Sequence, residues 1–140
     1  MRRPLVAGNW KMHGSRQSVE ALLQQLAAQD WPEQVELMIA PPALYIERCV
    51  EALQATPIRV AGQACATQAE FGALTGEISP AQLRDAGCEF VLVGHSERRA
   101  LFGETDEVVC RKFAAALACG LRPVLCVGET QAERDAGETT

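Results

Sequence analysis

The feature that most constrains this chain is a recurrence. Short apolar, β-rich runs end near Gly8, Ala40, Gly62, Gly94 and Gly128, and polar loops and helix-period segments separate them. Two of these ends look alike: Val91-Leu92-Val93-Gly94 before His95, and Leu125-Cys126-Val127-Gly128 before Glu129, 34 positions apart. Such alternation is the pattern of βα units laid around a parallel sheet. The strand runs are almost wholly apolar, which suits burial on both faces and not on one.

Read in detail, Leu5 to Gly8, Val35 to Ala40, Ile58 to Gly62, Phe90 to Val93 and Pro123 to Val127 are the expected strands. Val19, Leu22, Leu23 and Leu26 repeat at helical spacing, and a second helix runs from Leu44 to Leu53. Ser79, Pro80 and Gln82 form a capping-box start for a short helix stopped at Gly87. Thr105 caps a helix from Asp106 to Ala118, and Thr130 with Glu133 caps another. The stretch Gln63 to Ile78 is longer than most connections in compact domains, which makes it a functional candidate.

This amounts to four complete βα units and a fifth begun, read as one domain over residues 1–140. A sheet of five such strands leaves its first and last strands as edges. A (β/α)8 barrel takes eight units and about 250 residues. The pattern therefore fits either part of such a barrel or a smaller open α/β domain.

Charge and composition narrow the function classes. Against 18 Asp plus Glu stand 13 Lys plus Arg, a net charge of −5, which opposes a nucleic-acid partner. Aromatic residues make up only 5%, too few for base-stacking platforms. The apolar run Phe113 to Leu121 is far short of the roughly 18 residues a bilayer span takes, so no membrane partner is expected. The basic start at Arg2 and Arg3 precedes too short an apolar stretch for a signal peptide, and a cytoplasmic location is the expectation. The six cysteines form no C-x-x-C pair and have no histidine at metal spacing. Reduced thiols and no metal site are expected, with disulfides the alternative for a secreted chain.

Chemistry in parallel α/β folds gathers in the loops after the carboxyl ends of the strands. After the first strand come Asn9 and Lys11; after the fourth come His95, Ser96, Glu97, Arg98 and Arg99. A lysine there can attract a phosphorylated substrate and stabilise developing negative charge, or it can be an ordinary solvated lysine. His95 can act as acid, base or donor near neutrality, or merely satisfy a local hydrogen bond. The sequence contains no G-x-S-x-G elbow, Walker A loop or G-x-G-x-x-G fingerprint.

Four motifs, taken together, decide between these readings. Gly8-Asn9-Trp10-Lys11-Met12, Gly72-Ala73-Leu74-Thr75-Gly76-Glu77, Gly94-His95-Ser96-Glu97-Arg98-Arg99 and Val124-Leu125-Cys126-Val127-Gly128-Glu129-Thr130 resemble the triose-phosphate isomerase family in order and spacing. The resemblance implies a TIM (β/α)8 barrel, of which this chain supplies about the first five βα units. It implies interconversion of dihydroxyacetone phosphate and D-glyceraldehyde 3-phosphate through an enediolate, with no cofactor and no metal. Asn9 and Lys11 would hold the substrate, and Lys11 would act with His95 in catalysis. His95 would be the electrophile, a role for which this family is itself the standard example of a neutral imidazole. Ser96 and Glu97 would support the histidine.

By the same resemblance the protein is a homodimer when full length. The loop bearing Thr75 and Glu77 would reach into a neighbouring subunit, with Glu77 pairing with Arg98 across the interface. His13 stands where the family usually has Asn, and Ala64 where Asn or Asp is usual. No segment matches the family's catalytic glutamate, its closing loop or the two later loops that grip phosphate. The 140 residues alone are therefore expected to be nearly inactive. The alternative is a non-catalytic half-barrel module that assembles through its open edges.

Overall fold

The structure is a computed structural model that describes residues 2–138. Five strands, β1 (Leu5–Asn9), β2 (Glu36–Ala40), β3 (Ile58–Gly62), β4 (Phe90–Val93) and β5 (Arg122–Leu125), form one sheet in the order β1-β2-β3-β4-β5. All four pairings are parallel, so every strand lies beside its sequence neighbour. This is the strand order of the opening units of a barrel. The helices are α1 (Arg16–Ala28), α2 (Ile46–Ala52), α3 (Pro80–Asp85), α4 (Ser96–Leu101), α5 (Asp106–Ala118) and α6 (Gln131–Asp135). None of them is long and apolar enough to cross a membrane.

Alternation along each strand divides the apolar side chains between two cores. On the helix side, Leu37, Ile39, Val60, Val91 and Val93 pack with Leu23, Leu53, Leu83, Val109 and Ala116. On the other side, Met38, Ala40, Ala61, Phe90 and Leu92 form a second cluster, with Val124 and Cys126 against it. The sheet is curled around this second cluster. In a flat sheet β2 and β5, three strand spacings apart, would be separated by about 14 Å. Yet Arg122 at the start of β5 pairs with Glu36 at the start of β2, Nη1 to Oε2, at 2.6 Å. The same guanidinium lies 4.4 Å from the centre of the Phe90 ring and 3.5 Å from Glu89, which also takes Arg59 at 3.1 Å. A charged layer thus lines the amino-terminal end of the curl, opposite the end where the polar loops emerge.

Three local features differ from the sequence expectation. The helix expected from Leu44 opens as a 3₁₀ turn at Ala43–Tyr45 after Pro42, and α2 proper starts at Ile46. β5 ends at Leu125, two residues before the apolar run does. The polar loop after β4 contains α4, which hydropathy could not reveal because none of its residues is buried. It forms because Gly94 turns the chain at φ +73° and His95 caps the first turn.

Leu23 is 1% exposed in the helix-side core, whereas Leu44 is 88% exposed. We expect Leu23→Ala to cost about 2–5 kcal/mol in denaturant unfolding, and Leu44→Ala to fall within about 0.5 kcal/mol of the parent.

Candidate functional site

The site is built at the carboxyl ends of β1 and β4. Lys11 is the one non-glycine residue with positive φ among the described residues, at 53°. For a lysine this conformation costs about 1–2 kcal/mol and must be imposed by its surroundings. Two side chains impose it. Asn9 Oδ1 accepts the Lys11 backbone N–H at 2.9 Å, and Gln63 Nε2 donates to the Lys11 carbonyl at 2.7 Å and to the Ala40 carbonyl at 2.9 Å. Gln63 thereby joins the ends of β1, β2 and β3. In sequence Gln63 is only the first residue of a long loop, and its position directly after Gly62, at a strand end, is the signal it offers.

From the second loop, Glu97 reaches back to the first. Its Oε1 pairs with Lys11 Nζ at 2.7 Å. That hydrogen bond holds the Glu97 carboxyl below the ordinary carboxylate range, against a weaker upward push from burial. The Glu97 backbone N–H donates to His95 Nδ1 at 3.2 Å. An imidazole nitrogen that accepts carries no proton, so in this arrangement Nδ1 is the acceptor and Nε2 is the donor. Glu97 Oε2 lies 3.6 Å from Nδ1, beyond hydrogen-bond range, and leaves this assignment unchanged.

Asn9, Lys11, Gln63, His95, Glu97 and Arg98 line a cleft of about 230 Å³. Of the sequence candidates, Asn9, Lys11, His95 and Glu97 are thus brought together. Ser96, the first residue of α4, is exposed. A backbone that must turn without a side chain makes this arrangement possible: a Cβ on Gly94 would sit 2.9 Å from both Val109 Cγ1 and Arg99 Nη2.

The third loop lies alongside. Thr75 and Glu77 are exposed on a turn that Gly76 makes at φ +89°, where the Glu77 N–H donates to the Leu74 carbonyl at 3.0 Å. With Gln63, Ala64 and Arg98 they line a neighbouring cleft of about 440 Å³. Arg98 is a wall of both clefts, but within the chain its ion pair is with Glu104, which also takes Lys112 Nζ at 2.9 Å. Glu104 and Lys112 are buried and were not singled out from sequence. Burial raises the Glu104 carboxyl, but Lys112 and Arg98 together outweigh it and leave the carboxyl below its ordinary value.

All six cysteines are free, and none belongs to the cleft. Burial pushes the thiols of Cys49 and Cys65 up to about 11 and that of Cys88 up to about 12.

Parallel strands in sequence order, curled around an apolar interior and carrying Lys11 and His95 in one cleft at their carboxyl ends, define a barrel-type α/β scaffold. Comparison with known proteins narrows this class. The triosephosphate isomerase family profile matches residues 4–140. Triosephosphate isomerase of Pseudomonas paraeruginosa (strain DSM 24068 / PA7) is 59% identical over 139 residues, which cover 99% of this chain and 55% of that protein. The corresponding protein of Pseudomonas syringae pv. tomato (strain ATCC BAA-871 / DC3000) is also 59% identical over the same shares. That of Pseudomonas entomophila (strain L48) is 56% identical, again over 99% of this chain and 55% of the relative. The chain belongs to the triosephosphate isomerase family, and it spans about half the length of the curated relatives it matches.

The ion pair at the centre of the site has a pH signature. Because the Glu97 carboxyl is depressed, the Lys11–Glu97 pair is fully formed above the ordinary glutamate value of about 4.3 and is lost as pH falls through the lower folded value. Carboxyl ¹³C NMR should therefore show Glu97 titrating below a free glutamate. Lys11→Met should move that midpoint upward; an unmoved midpoint would mean that the pair does not form.

Proposed function

We propose that the protein is a triosephosphate isomerase of the cytoplasm, interconverting dihydroxyacetone phosphate and D-glyceraldehyde 3-phosphate in glycolysis and gluconeogenesis. The single observation that carries this reading is the hydrogen bond that the Glu97 N–H donates to His95 Nδ1 at 3.2 Å. With Nδ1 taken by the Glu97 amide, Nε2–H is left to donate to a substrate oxygen in the cleft that also holds Lys11.

In this mechanism a carboxylate base removes a proton from the carbon beside the carbonyl. The C–H electron pair becomes the carbon–carbon double bond of the enediolate, and the carbonyl π pair moves onto oxygen. His95 Nε2–H donates to that oxygen as its charge develops, and the Lys11 ammonium stabilises the same charge and the substrate phosphate. Returning the proton to the former carbonyl carbon, while the hydroxyl proton passes from its oxygen to the former carbonyl oxygen, makes the new carbonyl and the new hydroxyl and completes the isomerisation, so no redox partner, cofactor or metal enters the balance. Asn9 holds the Lys11 turn, while Ser96 and Glu97 support the imidazole. Glu97 is not the base: its carboxylate is paired with Lys11 and held at low basicity. We assign the base to the family's catalytic glutamate, which this sequence does not match.

The partner in this reading is a second copy. The exposed Thr75–Glu77 turn would enter a neighbouring subunit near its Lys11 and His95, with Glu77 meeting Arg98. A second reading is a half-barrel module that assembles without catalysis through its edge strands, β1 and β5.

Steady-state assays separate the two. In the native-length protein, His95→Gln should lower kcat by about 10² to 10⁴, and Lys11→Met should abolish productive binding of the triose phosphate. Residues 1–140 alone should show no turnover that depends on His95. A discrete inactive oligomer of the native-length protein on size exclusion would favour the assembly reading instead.

A further inference from the structure

α4 holds the site in place, yet it has no apolar attachment of its own. It is six residues long, begins directly after His95 and carries Glu97 in its first turn, and none of its residues is buried. An isolated helix of this length does not persist in water, so side chains must hold it to the rest of the protein. Glu97 does so through its half-exposed pair with Lys11, and two arginines do so as well. Arg99 Nε donates to the Gly94 carbonyl at 2.8 Å, and its Nη1 pairs with Asp106 at 2.6 Å, but the Asp106 side chain is 94% exposed. Such surface pairs hold little against water.

Arg98 is attached differently. Its Nε donates to Glu104 Oε2, the oxygen that also accepts Lys112 Nζ at 2.9 Å, and the Glu104 N–H returns to the Arg98 carbonyl at 3.2 Å. Glu104 and Lys112 are 7% and 5% exposed. Lys112 lies on α5, whose Val109 and Ala116 belong to the helix-side core. Glu104 Oε1 is buried with no protein donor among the described residues, so Arg98 and Lys112 are the side chains that balance this carboxylate. Removing one member of such a buried set leaves the others unpaired, and the set behaves as one unit. It forms a rigid line from α5 through Glu104 to Arg98, and from there along α4 to the Glu97 amide.

We propose that Glu104 is a positioning residue for His95. Through Arg98 it fixes α4, and with α4 the backbone N–H that holds the imidazole in its donating tautomer. The kinetic consequence rests on the isomerase reading above, whereas the structural one does not.

The test uses the native-length protein and two variants. Glu104→Gln keeps the side chain's shape and removes the charge that holds both cations. The Glu97 amide should then exchange with solvent at least about tenfold faster. Misplacing the imidazole should lower kcat by about 10²-fold while KM stays within about threefold. The double variant Glu104→Leu/Lys112→Met replaces the buried ions by apolar groups of similar size, which restores Tm but leaves Arg98 without its anchor. It should therefore show the same fast Glu97 exchange and low kcat at the parent Tm. A double variant with parental Tm, parental Glu97 exchange and parental kcat overturns the proposal. If the unmodified protein has no isomerase activity, the functional reading fails. Glu97 exchange in the same variants then decides the positioning claim alone.

Discussion

A parallel sheet must hide both of its faces, and this constraint assigns every other feature of the chain its place. Side chains along β2, β3 and β4 go to the helix-side core or to the interior of the curl, leaving little room on the strands for polar chemistry. Polar residues are confined to the two ends of the strands. At the amino-terminal end, Glu36, Arg59, Glu89 and Arg122 pair with one another and tie β2 to β5. At the carboxyl end, Asn9, Lys11, Gln63, His95 and Glu97 converge because their loops all leave the sheet on the same side. The first end is closed by ion pairs and serves shape. The second is a cleft.

Within that cleft Glu97 does two things at once. Its carboxylate holds the Lys11 ammonium, and its backbone N–H holds the His95 ring. A lysine in a left-handed turn and a histidine at a helix cap are each locally constrained, and Glu97 makes their positions interdependent. That leaves His95 Nε2 as a donor in a cleft that Lys11 and Arg98 also line. In the proposed reaction, such a donor meets the oxygen on which charge develops.

Much of this was legible in the sequence, and the illegible parts share a cause. The five strands, α1, α3, α5 and α6 were readable because apolar periodicity and capping residues report on burial and on helix ends. Asn9, Lys11, His95 and Glu97 were readable as strand-end residues, and family motifs sharpened them. α4 was not readable, because a helix held by salt bridges has no apolar stripe. Glu104 and Lys112 were missed because charged residues are normally solvated. A signal did exist: Lys112 lies three residues after Val109 and four before Ala116, on the apolar stripe of α5. A lysine there requires a buried acid, and Glu104 sits directly before the helix cap, Thr105. Gln63 offered only its place after Gly62, and its bonds to β1 and β2 depend on a curl that no local pattern encodes.

The proposed mechanism turns on His95 accepting at Nδ1 and donating from Nε2 in the cleft that Lys11 also lines. ¹⁵N NMR of the histidine-labelled native-length protein at neutral pH tests it directly. We expect a His95 Nδ1 shift typical of an unprotonated, accepting nitrogen and a directly bonded proton on Nε2. A proton found on Nδ1, alone or together with one on Nε2, would contradict the geometry from which the whole mechanism is built.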